Sequence, residues 1–179
     1  MLYMFLADGF EETEAIACLD VIRRADIPVS TAGVRTKTVT GSHGVSVVCD
    51  ILAEDYSAQE ADGVILPGGM PGTMNLLADP CVGYAVDSCA ANGKLVAAIC
   101  AAPLIPGTKG ILKGKEATCF PGFEDKLEGA VISDRYCVTS GNVITAKGMG
   151  SAVRFGLEIV RYFKGSEFSD KLASTLQIS

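Results

Sequence analysis

The chain has 179 residues, 49% of them hydrophobic, and a formal net charge of −6. That length suits one domain, expected over residues 1–179, and the composition is unlike that of disordered or collagen-like chains. No cluster of Lys or Arg offers the positive footprint of a nucleic-acid binder, so no specific nucleic acid is expected as a partner.

Met1–Ala7 is apolar, lacks a basic flank and stops at Asp8. It is too short for a signal peptide or a membrane span, so no membrane partner is expected and Leu2–Ala7 reads as a first strand. Further apolar runs of strand length, each bounded by Gly, Pro or Asp, fall at Val29–Gly33, Val45–Cys49, Gly63–Leu66, Leu95–Ile99 and Val143–Ala146. Between them lie helical patterns. Glu12–Ala25 carries Ala15, Ile16, Leu19 and Ile22 on one face, and Cys81–Asn92 ends in an Asn-Gly stop. This alternation predicts an α/β fold whose parallel sheet is covered on both faces. In the last third, Ala117–Phe120, Val131–Ser133 and Tyr136–Thr139 are short strand candidates, with a hairpin expected to extend the sheet. Gly150–Phe163 and Glu167–Leu176 read as helices.

Seven cysteines, Cys18, Cys49, Cys81, Cys89, Cys100, Cys119 and Cys137, contain no close C-x-x-C pair, so no zinc site or other metal is expected. Without a secretory signal the expected location is the cytoplasm, where free cysteine behaves mostly as a small buried hydrophobe. Cys100 differs in its setting. The run Leu95–Ile99 leads straight into it, Ala101 and Ala102 follow, and Pro103 stands where a helix's first turn should begin. In outline this is a nucleophile elbow, at the carboxyl end of a strand where open α/β sheets bind ligands. Amide groups of the following helix would favour thiolate over thiol and lower the pKa. From the local sequence alone, a reactive and an inert Cys100 are equally open.

Two more segments bear on that choice. Asp62–Gly69 reads as a strand breaking into Pro67-Gly68-Gly69, whose glycines let backbone N–H groups approach a ligand. It could supply half of an oxyanion hole, with the Ala101 amide as the other half, although such a turn is commonly only a turn. The run Asp8-Gly9-Phe10-Glu11-Glu12-Thr13-Glu14 crowds more carboxylates at a helix start than capping requires.

Together, Glu11–Glu14, Val64–Gly69, Ala97–Pro103 and Ala146–Gly150 resemble the ThiJ/PfpI superfamily, in the branch of the parkinsonism-associated protein DJ-1 and its bacterial relatives. The match runs over nearly the whole chain. The resemblance implies a flavodoxin-like three-layer sandwich with a mostly parallel central sheet, usually a homodimer that uses the first helix. It implies that Cys100 is the reactive nucleophile and that Glu14, protonated when Cys100 is thiolate, hydrogen-bonds its sulfur. Gly69 and Ala101 take the oxyanion-hole positions. The pocket would include Gly68, and also Phe120, which stands where many members carry His, so that no Cys-His dyad can form there. His43, the only histidine, falls near the pocket by the same mapping, although its Gly-Ser-His-Gly setting also reads as an ordinary loop. Pro106-Gly107 should shorten or kink the helix after the elbow.

The family's activities make different demands. A protease or amidase usually needs a His base, which places that reading lowest. Glyoxalase or deglycase chemistry on a small aldehyde or glycated substrate needs a thiolate and a carboxyl group that moves a proton, and Cys100 with Glu14 can supply both without a cofactor. Oxidative-stress sensing asks only for an accessible thiolate and donors for its oxidised oxygens, and a chaperone role is the remaining alternative.

Overall fold

The computed structural model describes residues 1–178; Ser179, the last residue of the expected domain, lies outside them. The chain begins with β1 (Leu2–Leu6), α1 (Glu12–Arg24), β2 (Val29–Gly33), β3 (Thr38–Thr40), β4 (Ser46–Val48) and β5 (Ile51–Leu52). It continues with β6 (Gly63–Leu66), α2 (Gly72–Ala78), α3 (Pro80–Ala91), β7 (Leu95–Ile99), α4 (Leu104–Thr108), β8 (Glu116–Ala117) and β9 (Val131–Ile132). The hairpin β10 (Cys137–Ser140) and β11 (Val143–Ala146) precedes α5 (Ala152–Lys164) and α6 (Ser166–Thr175).

Seven strands form the main sheet in the order β10-β11-β7-β6-β1-β2-β5, and every neighbouring pair is parallel except β10 with β11. Alternation along the strands sends side chains into two separate cores. Leu2, Met4, Leu6, Ile65, Leu95, Ala97, Ile99 and Ile144 pack with Cys18, Leu19 and Ile22 of α1 and Phe155, Ile159 and Val160 of α5. Tyr3, Phe5, Val64, Leu66, Val96 and Ala98 pack on the other face with Leu76 of α2, Val82, Ala85 and Val86 of α3, and Leu104 and Ile105 of α4. The result is the expected three-layer α/β sandwich.

Local signals explain the helix ends. The Glu11 carboxylate caps α1 by accepting the Glu14 N–H at 2.6 Å, and Arg23 and Arg24 sit in the last turn, where cations suit the helix dipole. Asp79 caps α3 through Cys81 N and Val82 N, with Pro80 in the first position.

Several sequence expectations need correction. Val45–Cys49 does not join the main sheet. Its centre, β4, pairs antiparallel with β3 in a small ribbon, and β4 itself runs exposed, half-buried, exposed, so it lacks the burial that a central strand requires. Likewise Ala117–Phe120 and Val131–Ser133 contribute only β8 and β9, a separate parallel pair, while the sheet is extended by the β10–β11 hairpin. α4 has five residues, as Pro106-Gly107 foretells. The short elements β3, β5 and α2 carry no periodic signal and were missed.

Candidate active site

β7 lies between β6 and β11, all three parallel, and its five residues are buried. Immediately after it the backbone of Cys100 turns through φ +66°, a left-handed conformation that costs a non-glycine residue about 1–3 kcal/mol and persists only when surrounding contacts enforce it. Those contacts are visible. Cys100 N donates to Ala146 O at 2.9 Å, and Cys100 O accepts from Phe120 N at 2.8 Å, so β11 and the 120s loop clamp the turn from both sides. Ala101 and Ala102 are buried beneath it, which explains why no larger residue follows the cysteine.

Glu14 approaches from the first turn of α1. It is only 1% exposed, hydrogen-bonds the Cys100 thiol, and accepts the Gly68 N–H at 2.8 Å on Oε2. The amides of Gly69 and Ala101 also reach the sulfur. Both glycines of the Pro-Gly-Gly turn are needed. A Cβ on Gly68 would fall 2.6 Å from the Cys100 Cβ and 2.8 Å from Glu14 Oε2, wedging thiol and carboxyl apart. Gly69 has φ +91°, and a Cβ there would meet Glu11 N at 2.4 Å.

Burial pushes the Glu14 carboxyl up to about 7, against the stabilising Gly68 amide and Cys100 thiol. Burial first and the Glu14 charge second push the Cys100 thiol up to about 12, opposed by the Gly69 and Ala101 amides. This corrects the sequence expectation of a thiol acidified chiefly by its helix. Helix α4 starts only at Leu104 and is short, so two isolated amides do the work assigned to a helix end, and desolvation outweighs them. The pair nevertheless holds one proton between its first and second ionisations. When that proton sits on Glu14, the repelling charge is gone and the carboxyl becomes a donor to the sulfur.

The acidic segment divides its labour. Glu11 caps α1, Glu14 faces the thiol, and Glu12 anchors a loop. Burial raises the Glu12 carboxyl, but hydrogen bonds from its own backbone, from the His43 side chain and N–H, and from Val45 N–H overcome this and hold it down at about 2. His43 N donates to Glu12 Oε1 at 2.7 Å, and its Nδ1 lies 3.1 Å from Oε2, with the imidazole 75% exposed. His43 is therefore placed as a loop residue bound to Glu12. One ligand atom each from Glu11, Glu12 and His43 lie within 4.8 Å of one another, a cluster that these capping and loop bonds account for.

Phe120 does stand beside the centre. A Cβ built on Gly148 would lie 3.3 Å from the Phe120 ring and 3.9 Å from Glu14 Oε1, so Gly148 separates the two. From there an open depression of about 460 Å³ runs outward, lined by Phe120, Tyr136, Lys147 and Met149 among others. Sequence reasoning found Phe120 but missed Tyr136, Lys147 and Met149 as pocket residues, although Ala146–Gly150 had stood out as a motif. Of the six other cysteines, Cys18, Cys49, Cys89 and Cys119 are buried, and Cys81 and Cys137 are half-buried. Burial pushes Cys49 and Cys119 up to about 11 and Cys137 to about 12.

Among the described residues no helix is long and apolar enough to cross a membrane. Comparison with known proteins agrees with the fold and the motifs. The structure superimposes on oxidized DJ-1 of Toxoplasma gondii with a TM-score of 0.95 at 30% identity, covering 99% of this chain and 98% of that one. In sequence it is 34% identical over 177 residues to a glutathione-independent glyoxalase of Caenorhabditis elegans, covering 98% of this chain and 94% of the relative. It is 30% identical over 160 residues to a deglycase of Pyrococcus abyssi, covering 88% and 96%. It also matches the Arabidopsis thaliana protein DJ-1 homolog A at 34% identity over 175 residues, spanning 96% of this chain but 45% of that longer protein. Since residues 1–162 match the DJ-1/PfpI family description and the relatives align over nearly the full length, this chain belongs to the DJ-1/PfpI family.

Proposed function

We propose that this protein processes reactive carbonyls by glyoxalase or deglycase chemistry, with Cys100 as nucleophile and Glu14 as proton carrier. The observation that carries this reading is the buried Glu14 carboxyl hydrogen-bonded to the Cys100 thiol, with the Gly69 and Ala101 amides at the same sulfur. The relatives named as a glyoxalase and a deglycase support it. For an α-oxoaldehyde, the thiolate adds to the aldehyde carbon and forms an S–C bond. The carbonyl electron pair moves to oxygen, where the two amides stabilise the alkoxide until Glu14 delivers its proton. The Glu14 carboxylate then takes the proton from that carbon, giving an enediol with the neighbouring carbon, and returns it to the neighbouring carbon while the hydroxyl proton passes from the first oxygen to the second, leaving a thioester. Water cleaves the thioester to a 2-hydroxy acid and restores the thiol, so the net change is addition of one water.

The same two amides would hold the oxygens of an oxidised Cys100, and the relative solved as oxidized DJ-1 favours a redox-sensing reading as the alternative. Protease or amidase activity ranks below both, because Phe120 stands at the family's His position and His43 is bound to Glu12. We place the activity in a single domain over residues 1–179, in the cytoplasm, as a homodimer.

The test is methylglyoxal consumption and the pH profile of iodoacetamide alkylation in wild type, Cys100→Ser, Glu14→Gln and Glu14→Ala. With Glu14 at about 7 and Cys100 at about 12, the alkylation profile reports where the shared proton sits: the reading requires it on Glu14, so that alkylation rises with the pair's first ionisation and not its second. Glu14→Gln, which keeps a donor, should retain a reactive thiolate; both Glu14 variants should lose turnover. A wild-type profile that rises only with the second ionisation, toward about 12, would leave the proton on sulfur and remove the basis of the reading. A normal thiolate without turnover in any protein would leave the redox alternative.

A further inference from the structure

We infer that the substrate's substituent is aromatic or similarly bulky and apolar: the wall formed by Phe120, Tyr136 and Met149 selects aryl α-oxoaldehydes over methylglyoxal, an inference that rests on the carbonyl chemistry proposed above.

Three large side chains remain exposed around one depression, Phe120 at 48%, Tyr136 at 64% and Met149 at 56%. Exposed apolar surface gathered in one hollow marks a binding site far more often than the same residues scattered singly. The hollow adjoins the chemistry. A Cβ on Gly148 would lie within 4 Å of both the Phe120 ring and Glu14 Oε1, and Phe120 N is bonded to Cys100 O at 2.8 Å. The hollow's own lining runs from Phe120 and Pro121 to Tyr136 and residues 147–151, so a substrate held at Cys100 would enter it with its substituent, past Gly148.

Size points the same way. The hollow, about 460 Å³, is wide and open, so the methyl group of methylglyoxal would cover little of its apolar wall and an aryl group much more. The wall is also held in position. Lys147 N donates to Tyr136 O at 3.0 Å, and the Lys147 ammonium sits 5.7 Å from the Tyr136 ring centroid, a cation–π contact that favours this position of the ring. Rings meet edge-on or offset, and a thioether packs well on an aromatic edge, so Phe120, Tyr136 and Met149 form complementary surfaces for an aryl group. A histidine in place of Phe120 would present a polar ring that competes for water.

Two readouts separate this inference from the reading beneath it. The first needs no turnover: alkylation of Cys100 by phenacyl bromide and by bromoacetone, in which the sulfur forms a bond to the CH₂ carbon and bromide leaves. Each rate is divided by that of glutathione, which has no pocket. The protein should favour the aryl reagent by about tenfold over the glutathione ratio. Phe120→Ala and Tyr136→Ala should each reduce that preference by about two- to tenfold, the scale of one lost aromatic contact. The second readout is kcat/KM for phenylglyoxal against methylglyoxal, which should favour phenylglyoxal and converge in Phe120→Ala, mainly through KM.

An alkylation preference without consumption of either aldehyde would refute the carbonyl chemistry and keep the aryl pocket. Turnover of both aldehydes with an alkylation ratio equal to glutathione's would refute the pocket and keep the chemistry. If the wall instead seats a second copy of the chain, the two variants would shift the mass seen by light scattering and leave the reagent ratio at glutathione's value, which also overturns the inference.

Discussion

Strand β7 with its elbow and the segment from β8 to Tyr136 meet at one hydrogen bond, Phe120 N to Cys100 O, yet they are built on opposite principles. In β7 every residue is buried, both neighbours are parallel strands, and the backbone is determined from two sides. Between β8 and Tyr136 the paired strands have two residues each, and Val131, Ile132 and Tyr136 are 60%, 46% and 64% exposed. The first region can hold a strained, positive-φ cysteine because its surroundings leave no alternative. The second is anchored in the core by Ala117, Cys119 and Leu127 but can vary its exposed side chains at little cost to the fold, and it carries the ring that faces the proposed substrate. Position of the nucleophile and choice of substituent are thus assigned to parts of the chain with different tolerance for change.

The largest effect expected from that contrast is on stability. Ile65 is fully buried, paired with Met4 and Ala97 in the register of the sheet, and Ile65→Ala should cost about 2–5 kcal/mol in urea unfolding. Val131→Ala, in β9, should stay within about 0.5 kcal/mol of wild type. Similar losses at both positions would show that the β8–Tyr136 segment is part of the cooperative core after all.

Glu14 sharpens the comparison because it is a charged group on the rigid side of the site. Its carboxyl is raised from 4.5 to about 7, so the folded protein holds the proton more tightly than the unfolded chain. That preference supports the fold fully below about 4.5 and is lost as the pH rises through about 7, a difference on the order of 3 kcal/mol. Glu14→Gln cannot ionise. It should therefore gain about that much stability relative to wild type at pH 8, with little gain at pH 4, while losing turnover. A variant whose stability relative to wild type is the same at both pH values would mean that the first ionisation of the Glu14–Cys100 pair costs the fold nothing.

Gly68→Ala tests position without changing any ionisable group. The added Cβ collides with the Cys100 Cβ and Glu14 Oε2, and a displacement of that kind can cost about a hundredfold in rate. The loss should appear in both turnover and Cys100 alkylation. Unchanged alkylation with lost turnover would place the defect at the proton transfer alone.

What could be read in the sequence follows the same division. Leu2–Leu6, Gly63–Leu66, Leu95–Ile99 and Val143–Ala146 were legible because strands buried on both faces must be apolar without interruption, and such runs survive at any register. Val45–Cys49 looked the same over five letters but lies in an outlying ribbon, since local apolarity does not say which partner strand is available. Cys100 and the Pro-Gly-Gly turn could be placed by their neighbours. Glu14 could not be separated from Glu11 and Glu12 by local rules, because all three suit a helix start equally; only the fold sends one to a cap, one to a loop and one to the thiol. Tyr136, Lys147 and Met149 join Phe120 through contacts between distant segments, which no short window contains. The direction of the thiol's shift was misjudged for a related reason: a helix start is visible in the letters, whereas the desolvation that outweighs it is a property of the packed site.

The smallest effect is expected at His43, and it bears on how far the rigid part of the site extends. The imidazole is 75% exposed, while the Glu12 side chain it meets is 12% exposed. Most of what holds Glu12 does not need the ring: the N–H groups of His43 and Val45 both donate to Oε1, and the Ser42 hydroxyl reaches Oε2 at 3.4 Å. His43→Ala keeps both backbone donors and removes only the exposed imidazole's contact with Oε2, which the Ser42 hydroxyl also reaches. Stability should therefore change by less than about 0.5 kcal/mol, with KM and the Cys100 alkylation rate unaltered. Glu12→Ala, by contrast, leaves the 41–45 turn without its acceptor and should loosen it, visible as faster amide exchange at His43 and Val45. A loss of several hundredfold in turnover for His43→Ala, with the loop intact by exchange, would move His43 from the loop into the chemistry and extend the rigid side of the comparison beyond Glu14.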